Sequence, residues 1–148
     1  MIAFYQKLCT FWNISPRIKK LFFKAVFISA IVKITLVFLP FKVVLKWLGR
    51  QNEESDKVSN HDSECIRAEV QRALALCERY NFWKTECYTL ALTGKLLLKD
   101  YKLPSTLYIG FHKSENGIFE GHAWLRSYDT VLVGGINSDQ FKVQSFFT

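Results

Sequence analysis

The stretch Trp83-Lys84-Thr85-Glu86-Cys87-Tyr88-Thr89-Leu90-Ala91 decides the fold, because it begins an apolar helix with a cysteine in its first turn. This helix is predicted over residues 85–101, since apolar or small side chains recur there at helical spacing: Cys87, Leu90, Ala91, Gly94, Leu97, Leu98 and Tyr101. Thr85 is the predicted N-cap. A thiol among the unpaired N–H groups at the positive end of a helix dipole is favoured as the nucleophilic thiolate. Cys87 is therefore a candidate nucleophile, although on position alone a small buried apolar residue is the commoner role of a free cysteine.

A histidine downstream offers a base for that thiol. Residues 119–127 are predicted to form a strand in which His122 shares one face with Trp124 and Arg126, and the other face carries Ala123, Leu125 and Ser127. A lone histidine on a strand is more often structural than catalytic. A helix headed by cysteine and followed, one strand later, by His-Ala-Trp is a more specific pattern, typical of a thiolate with an imidazole base.

Short motifs recur in a fixed order along nearly the whole chain: Leu39-Pro40-Phe41-Lys42, Leu48-Gly49-Arg50, Trp83 four residues before Cys87, Ala91, Leu96-Leu97-Leu98, Leu103-Pro104, Leu107-Tyr108-Ile109-Gly110 and Gly121-His122-Ala123-Trp124-Leu125. Together they resemble the transglutaminase-like cysteine proteases of lasso-peptide biosynthesis, which remove the leader peptide from the precursor. The resemblance implies a papain- or transglutaminase-like α+β core with Cys87 as nucleophile and His122 as base. We expect Trp83 and Trp124 to shape the substrate cleft, although Trp83 fits the core equally well.

The third catalytic residue is where this chain departs from the family's pattern. The resemblance implies an aspartate about a dozen positions after His122, and that place is occupied by Val133-Gly134-Gly135. Asp129 does not replace it, because Asp129 lies in the predicted hairpin turn, on the order of 20 Å from the histidine. The glycine pair lets the chain double back, so that Asn137 or Asp139 reaches the imidazole, and Asp139 is the preferred candidate. A Cys–His dyad oriented by a backbone carbonyl is an equal alternative.

The positive charge of the chain is concentrated in its N-terminal third. The 148 residues carry a formal net charge of +7, yet residues 1–50 contain nine Lys or Arg and neither Asp nor Glu. Such an arm suits anionic lipid, an acidic peptide or nucleic acid. Nucleic acid is disfavoured as a partner, because no recognised motif or stacking platform accompanies the charge.

Within this arm, residues 21–39 form a mostly apolar stretch long enough to cross a bilayer. Lys24 and Lys33 disfavour a span, since a lysine near the bilayer centre costs about 2.5–3.5 kcal/mol. A helix packed on the protein or on a partner is preferred, an interfacial helix comes next, and a true span comes last. A second short helix is predicted over residues 41–48.

The length of 148 residues predicts one domain at most, preceded by the helical arm. Residues 51–63 are polar and lack periodicity, so they are predicted to link the basic helical arm of residues 1–50 to a protease domain of residues 64–148. The next helix should begin near Asp62 or Ser63. Its charged side chains are predicted to face mainly solvent: Arg67, Glu69, Arg72 and Glu78. Strands over residues 105–112, 119–127, 130–133 and 141–147 would give two helices packed on a small antiparallel sheet.

The cysteines predict a reducing compartment. Cys9, Cys65, Cys77 and Cys87 are widely spaced without a C-x-x-C pair, which indicates reduced thiols in a cytoplasmic protein with neither disulfides nor a metal site. No Walker A pattern is present, and no cofactor is expected.

The resemblance predicts a cytoplasmic leader peptidase, peripheral to the inner face of the membrane if its arm binds lipid. Nothing before Cys87 resembles the winged-helix recognition domain of the family, so a separate leader-recognition protein is the expected partner, with the precursor peptide as substrate and the lasso cyclase as a further partner. Two alternatives stay open: a non-catalytic binding or scaffold module, and an acyl transferase of the transglutaminase type.

Overall fold

The elements follow the predicted order of helices and then strands. The computed structural model describes residues 14–46, 48–58, 61–114 and 116–148. The α-helices of these residues are α1 (Pro16–Phe38), α2 (Phe41–Lys46), α3 (His61–Tyr80) and α4 (Cys87–Asp100). The strands are β1 (Thr106–Lys113), β2 (Phe119–Ser127), β3 (Thr130–Val133) and β4 (Lys142–Phe147), and a 3₁₀ turn, Ser138–Gln140, precedes β4. The predicted α+β class is confirmed.

The sheet is antiparallel throughout and has the strand order β3-β2-β1-β4. Both predicted hairpin turns occur, with Gly117 and Tyr128 at positive φ. Ser127 pairs with Thr130 as predicted, but a bulge then shifts the register so that Leu125 pairs with Val133. The bulge and the short β3 let the chain leave the sheet beside His122.

The hydrophobic core lies between the sheet and the helices α3 and α4, and α1 packs against both helices. The largest side chains that are fully buried include Leu74, Leu97, Leu98, Leu107 and Leu125. Ala123 and Leu125 belong to this core, whereas Trp124 stacks on Tyr108 with ring centroids 5.5 Å apart. The predicted alternation along β2 is therefore confirmed.

One side of helix α1 packs against the rest of the domain. It begins at Pro16, five residues before the predicted start, because the Ser15 side chain accepts a hydrogen bond from the backbone N–H of Arg17. Its buried residues are Ile18, Leu21, Ala25, Ser29 and Val32. Among the described helices, α1 alone is long and apolar enough to cross a membrane, with a mean hydropathy of 2.2.

The predicted linker lies against the sheet. Gln51 forms a bridge with Phe147, and the backbone of Arg50 exchanges two hydrogen bonds with that of Thr148. The backbone N–H of Ser55 donates to the hydroxyl of Thr106 at 2.9 Å. These contacts fix residues 50–55 to β4 and β1, while residues 59–60 of the predicted linker lie outside the described residues.

Arg67 corrects the prediction that the charges of α3 face solvent. Only 4% of its surface is exposed. Its Nη1 donates to the carbonyl of Ser127 and to the hydroxyl of Thr130, both at 2.9 Å, and its guanidinium lies 5.1 Å from the Tyr128 ring centroid. The turn between β2 and β3 comes down onto α3 and supplies these acceptors, which is why a charged side chain is stable there.

Candidate active site

Cys87 is the first residue of α4, so its predicted place in the first turn is correct. The prediction that Thr85 is the N-cap is wrong. Glu86 is the N-cap, in an extended conformation, and its side chain makes no capping hydrogen bond. Helix α4 is anchored by its buried residues, whereas Cys87 is only half-buried. The thiol therefore sits at the accessible end of a fixed helix, where backbone N–H groups lack intrahelical partners.

The loop before Cys87 is held by polar contacts rather than by a cap. Thr85 Oγ1 lies 3.4 Å from both the Asn81 amide nitrogen and the Trp83 carbonyl. The same amide donates to Ser29 of α1 at 3.2 Å, and Lys33 of α1 donates to the carbonyl of Lys84 at 2.9 Å. Helix α1 thus positions the loop that leads into the nucleophile.

His122 lies on β2, opposite Gly110 of β1. Its Nε2 is 2.8 Å from the carbonyl oxygen of Gly134. A carbonyl only accepts hydrogen bonds, so Nε2 must carry the proton and Nδ1 is left as the basic nitrogen of the neutral ring. Gly134 stands where the resemblance implies an aspartate, and its backbone carbonyl makes the contact that orients the imidazole.

Aromatic rings also fix the imidazole of His122. The Phe141 ring lies 4.8 Å away between centroids and the Trp124 ring 5.9 Å away. Trp124 stacks in turn on Tyr108, at an interplanar angle of 8°. Both rings therefore pack against the imidazole whose Nε2 lies at the Gly134 carbonyl.

This aromatic stack ends in a charged cluster. The Tyr108 hydroxyl donates to a Glu54 carboxylate oxygen at 2.8 Å and accepts from Arg126 Nε at 3.0 Å. Arg126 also forms a salt bridge with Glu54 at 3.2 Å. The Tyr108 hydrogen bond and the Arg126 charge hold the pKa of Glu54 below its usual value. Glu54, a residue of the predicted linker, is therefore connected to His122 through two side chains, Tyr108 and Trp124.

Cys87 and His122 line the same cavity, of about 500 Å³. Its walls come from α3, from the start of α4 and from residues 131–136, and its lining is mostly apolar, with Gln71 and Glu78 as polar members. A cavity of this size accepts a few residues of a peptide chain. The structure thus brings the predicted nucleophile and the predicted base to one accessible site.

Asp139 is not brought to the imidazole. It lies exposed in the 3₁₀ turn, and among the described residues no hydrogen bond or ion pair joins it to His122. The turn forms because Ser138 N–H bonds the Gly135 carbonyl and Phe141 N–H bonds the Ser138 carbonyl. This tight path directs Phe141, rather than Asp139, against the histidine.

Neither of the two tryptophans predicted to contact substrate, Trp83 and Trp124, lines the cavity. Trp124 keeps only 7% of its surface exposed. Trp83 is half-buried, and its Nε1 is buried without a hydrogen-bond partner among the described residues. Trp124 therefore supports His122 from behind, and Trp83 holds an unused donor in the loop before the nucleophile.

The sequence analysis allowed a backbone carbonyl as the group that orients His122, but it did not single out Gly134. Phe141 was predicted only as the start of a strand, so its contact with the imidazole was missed. Tyr88, next to Cys87, was not singled out either; burial first and then the charge of Cys87 raise the pKa of its hydroxyl. The glycine pair at residues 134–135 was the only available signal, since it marks a point where the chain bends out of the strand.

The other cysteines are poor candidates for the nucleophile. Cys77 is fully buried, and burial raises the pKa of its thiol. Cys65 is a free thiol exposed on α3 and does not line the cavity of His122. Cys9 lies outside the described residues. Of the described thiols, Cys87 is the one that shares a cavity with a histidine.

Comparison with known families agrees with this geometry. Residues 35–145 match the family described as the transglutaminase-like superfamily, from within α1 to the end region of β4. The chain belongs to the transglutaminase-like superfamily. No curated protein and no solved structure matches it. Because the superfamily generally includes cysteine peptidases and transglutaminases, membership supports peptidase or acyl-transfer chemistry at a cysteine.

Proposed function

We propose that this superfamily member is a cysteine peptidase that removes the leader peptide from a ribosomally made lasso-peptide precursor before macrocyclisation. The observation that carries the chemistry is the cavity shared by Cys87 and His122, with the imidazole held by the Gly134 carbonyl. The choice of substrate rests on the resemblance of the ordered motifs from residue 39 to residue 125.

In the first half-reaction, His122 Nδ1 takes the thiol proton and the Cys87 sulfur attacks the carbonyl carbon of the scissile peptide bond. A carbon–sulfur bond forms and a tetrahedral oxyanion develops. The carbon–nitrogen bond then breaks as the imidazolium protonates the leaving amine, which is the new N-terminus of the core peptide. The leader remains on Cys87 as a thioester.

In the second half-reaction, water attacks the thioester while His122 takes a proton from it. The carbon–sulfur bond breaks, the leader leaves with a free carboxylate, and the proton returns to the thiol–imidazole pair. The Gly134 carbonyl stabilises the imidazolium in both halves without taking a proton, since a carbonyl is only an acceptor.

The oxyanion needs donors at the start of α4. The Cys87 backbone N–H is one, because it has no partner within the helix and lies at the positive end of the dipole. By analogy with the family, we assign the second donor to the loop around Trp83, whose indole N–H has no partner in the described structure.

Delivery of the precursor is assigned to a separate leader-recognition protein. The described residues pack into one α+β unit whose cavity holds only a few residues of a peptide. Gripping a long leader requires additional surface, which such a partner supplies, and the lasso cyclase is a further candidate partner.

Acyl transfer to an amine is the alternative, since the superfamily supports it and it uses the same thioester. Water and an amine compete for the same carbonyl carbon. The two reactions differ only in whether an oxygen from water enters the released leader.

The proposal is tested by precursor cleavage in the presence of the recognition protein. Cys87→Ala and His122→Ala should each lose at least about 10³-fold in turnover while remaining folded. The matched control is Cys65→Ser, which removes an exposed thiol outside the cavity and should cleave at the wild-type rate. Comparable cleavage by folded Cys87→Ala would end the peptidase assignment. A wild-type chain that alkylates at Cys87 yet leaves the precursor intact would refute the substrate instead.

A further inference from the structure

The outer side of α1 exposes a continuous row of large apolar side chains. This row, called here the outer stripe, consists of residues that are each 49–78% exposed: Phe23, Phe27, Ile31, Ile34, Val37 and Phe38. Steps of three and four residues place them on one face of the helix. From the first to the last, the stripe is about 22 Å long at 1.5 Å per residue.

The opposite side of α1 is also apolar, and it is occupied by the protein. Ile18, Leu21 and Val32 are buried there against α3 and α4. A helix that is apolar all round normally has both of its sides covered. One side of α1 is covered by the domain, so the outer stripe is a second apolar surface, which the described residues leave exposed.

Cations flank the outer stripe at both ends. Lys20 is exposed one turn before Phe23, and Lys42 and Lys46 of α2 are exposed just beyond Phe38. The first 50 residues carry nine basic side chains and not one acidic side chain. An apolar row between lysines, within an acid-free segment, complements a surface that has an apolar interior and anionic headgroups.

We propose that the outer stripe of α1 docks this protein on the surface of an anionic lipid bilayer. The helix lies in the plane of the interface, its aromatic and aliphatic side chains enter the boundary of the acyl chains, and the flanking lysines meet lipid phosphates. The inference rests on α1 and on its charges, and it does not depend on the proposed peptidase activity.

A surface position fits the structure better than a transmembrane one. To cross the bilayer, α1 would have to withdraw Leu21 and Val32 from the core. It would also pull Lys33 away from the carbonyl of Lys84, three residues before Cys87. Docking through the outer stripe keeps all of these contacts.

The test is sedimentation of the purified full chain with preformed vesicles, either of phosphatidylcholine alone or with about a third of phosphatidylglycerol. The wild-type chain should bind the anionic vesicles. Phe27→Ser with Ile34→Ser should weaken binding at least about tenfold, because two exposed members of the stripe become polar. Lys20→Gln with Lys42→Gln should weaken binding to anionic vesicles about fivefold for each lysine removed, and should reduce the preference for anionic lipid by the same factor.

The matched control for lost hydrophobicity is Ile118→Ser with Phe119→Ser, which alters two exposed apolar residues of the β1–β2 hairpin. Its binding should stay within about twofold of wild type, and circular dichroism should show every variant folded. Absence of vesicle binding, or equal loss in the hairpin control, overturns the proposal. Equal binding to neutral and to anionic vesicles overturns the claim that anionic headgroups contribute to docking. A dimer that the stripe variant dissociates, with no vesicle binding, would assign the stripe to a second copy of the chain.

Discussion

Replacing Gly134 with alanine tests the contact that orients the proposed base. Gly134 has a φ of +71°, and a Cβ placed on it would lie 2.4 Å from the carbonyl oxygen of Ala123. The conformation alone costs an L-residue about 1–2 kcal/mol. The clash is with backbone, so it is relieved only by a shift between residues 123–124 of β2 and Gly134, whose carbonyl lies 2.8 Å from His122 Nε2.

The expected loss is larger in catalysis than in stability. Misplacing a catalytic group by about 1 Å costs about 10²-fold in rate. Without the carbonyl contact, the proton of the neutral imidazole is no longer held on Nε2. His122 Nδ1 is then protonated in part of the molecules and cannot act there as the base. Gly134→Ala should therefore lower kcat for precursor cleavage about 10²-fold and should slow alkylation of Cys87 by iodoacetamide near pH 6.

The control for this change is Gly117→Ala in the turn between β1 and β2. Gly117 has a similar φ of +79°, but a Cβ there would find its nearest neighbour 4.0 Å away. Gly117→Ala should lose about 1–2 kcal/mol of unfolding free energy in urea titrations, and Gly134→Ala should lose more because its Cβ also clashes with backbone. Only Gly134→Ala should lose kcat, and a folded Gly134→Ala enzyme with wild-type turnover would refute the role given to the carbonyl.

Three further predictions concern charged side chains. Arg67→Ala should lower the free energy of unfolding by about 2–4 kcal/mol, because buried acceptors lose their donor, whereas Arg72→Ala on the exposed side of the same helix should change it by less than about 0.5 kcal/mol in urea titrations. Glu54→Gln should cost about 1 kcal/mol near pH 7; the folded carboxyl has the lower pKa, so the difference from wild type should shrink as pH falls below 4.5 in pH-dependent unfolding. Asp139→Asn should keep kcat within about twofold of wild type, since the Gly134 carbonyl holds the imidazole. A tenfold loss of kcat would mean that Asp139 orients His122 after all.

The sequence was sufficient for the elements that carry strong periodicity. Helix α4 and strand β2 were predicted within two residues at each end, because their apolar side chains recur at 3.6 and 2 residues. The placement of Cys87 and His122 on these elements followed directly. Their meeting in one cavity needed the family resemblance, since spacing along the chain does not set distance in space.

Backbone groups and long-range polar contacts were beyond the sequence. The carbonyl at Gly134 is common to every residue type, so no pattern could single it out as the partner of His122. Arg67 was assigned to solvent because its acceptor, the Ser127 carbonyl, lies 60 residues further along the chain. For α1, an apolar pattern on all sides could not tell which side meets the core, and only tertiary packing separated its buried side from the outer stripe.

The central claim, hydrolysis through a thioester at Cys87, is tested most directly by cleaving the precursor in ¹⁸O-labelled water with the recognition protein present. The prediction is that acid quenching traps the leader on Cys87 and that the released leader carries one ¹⁸O atom in its new carboxylate, with neither product from Cys87→Ala. A trapped leader that is released onto an amine without ¹⁸O would establish acyl transfer instead. Labelled leader formed at the wild-type rate by Cys87→Ala would contradict the account.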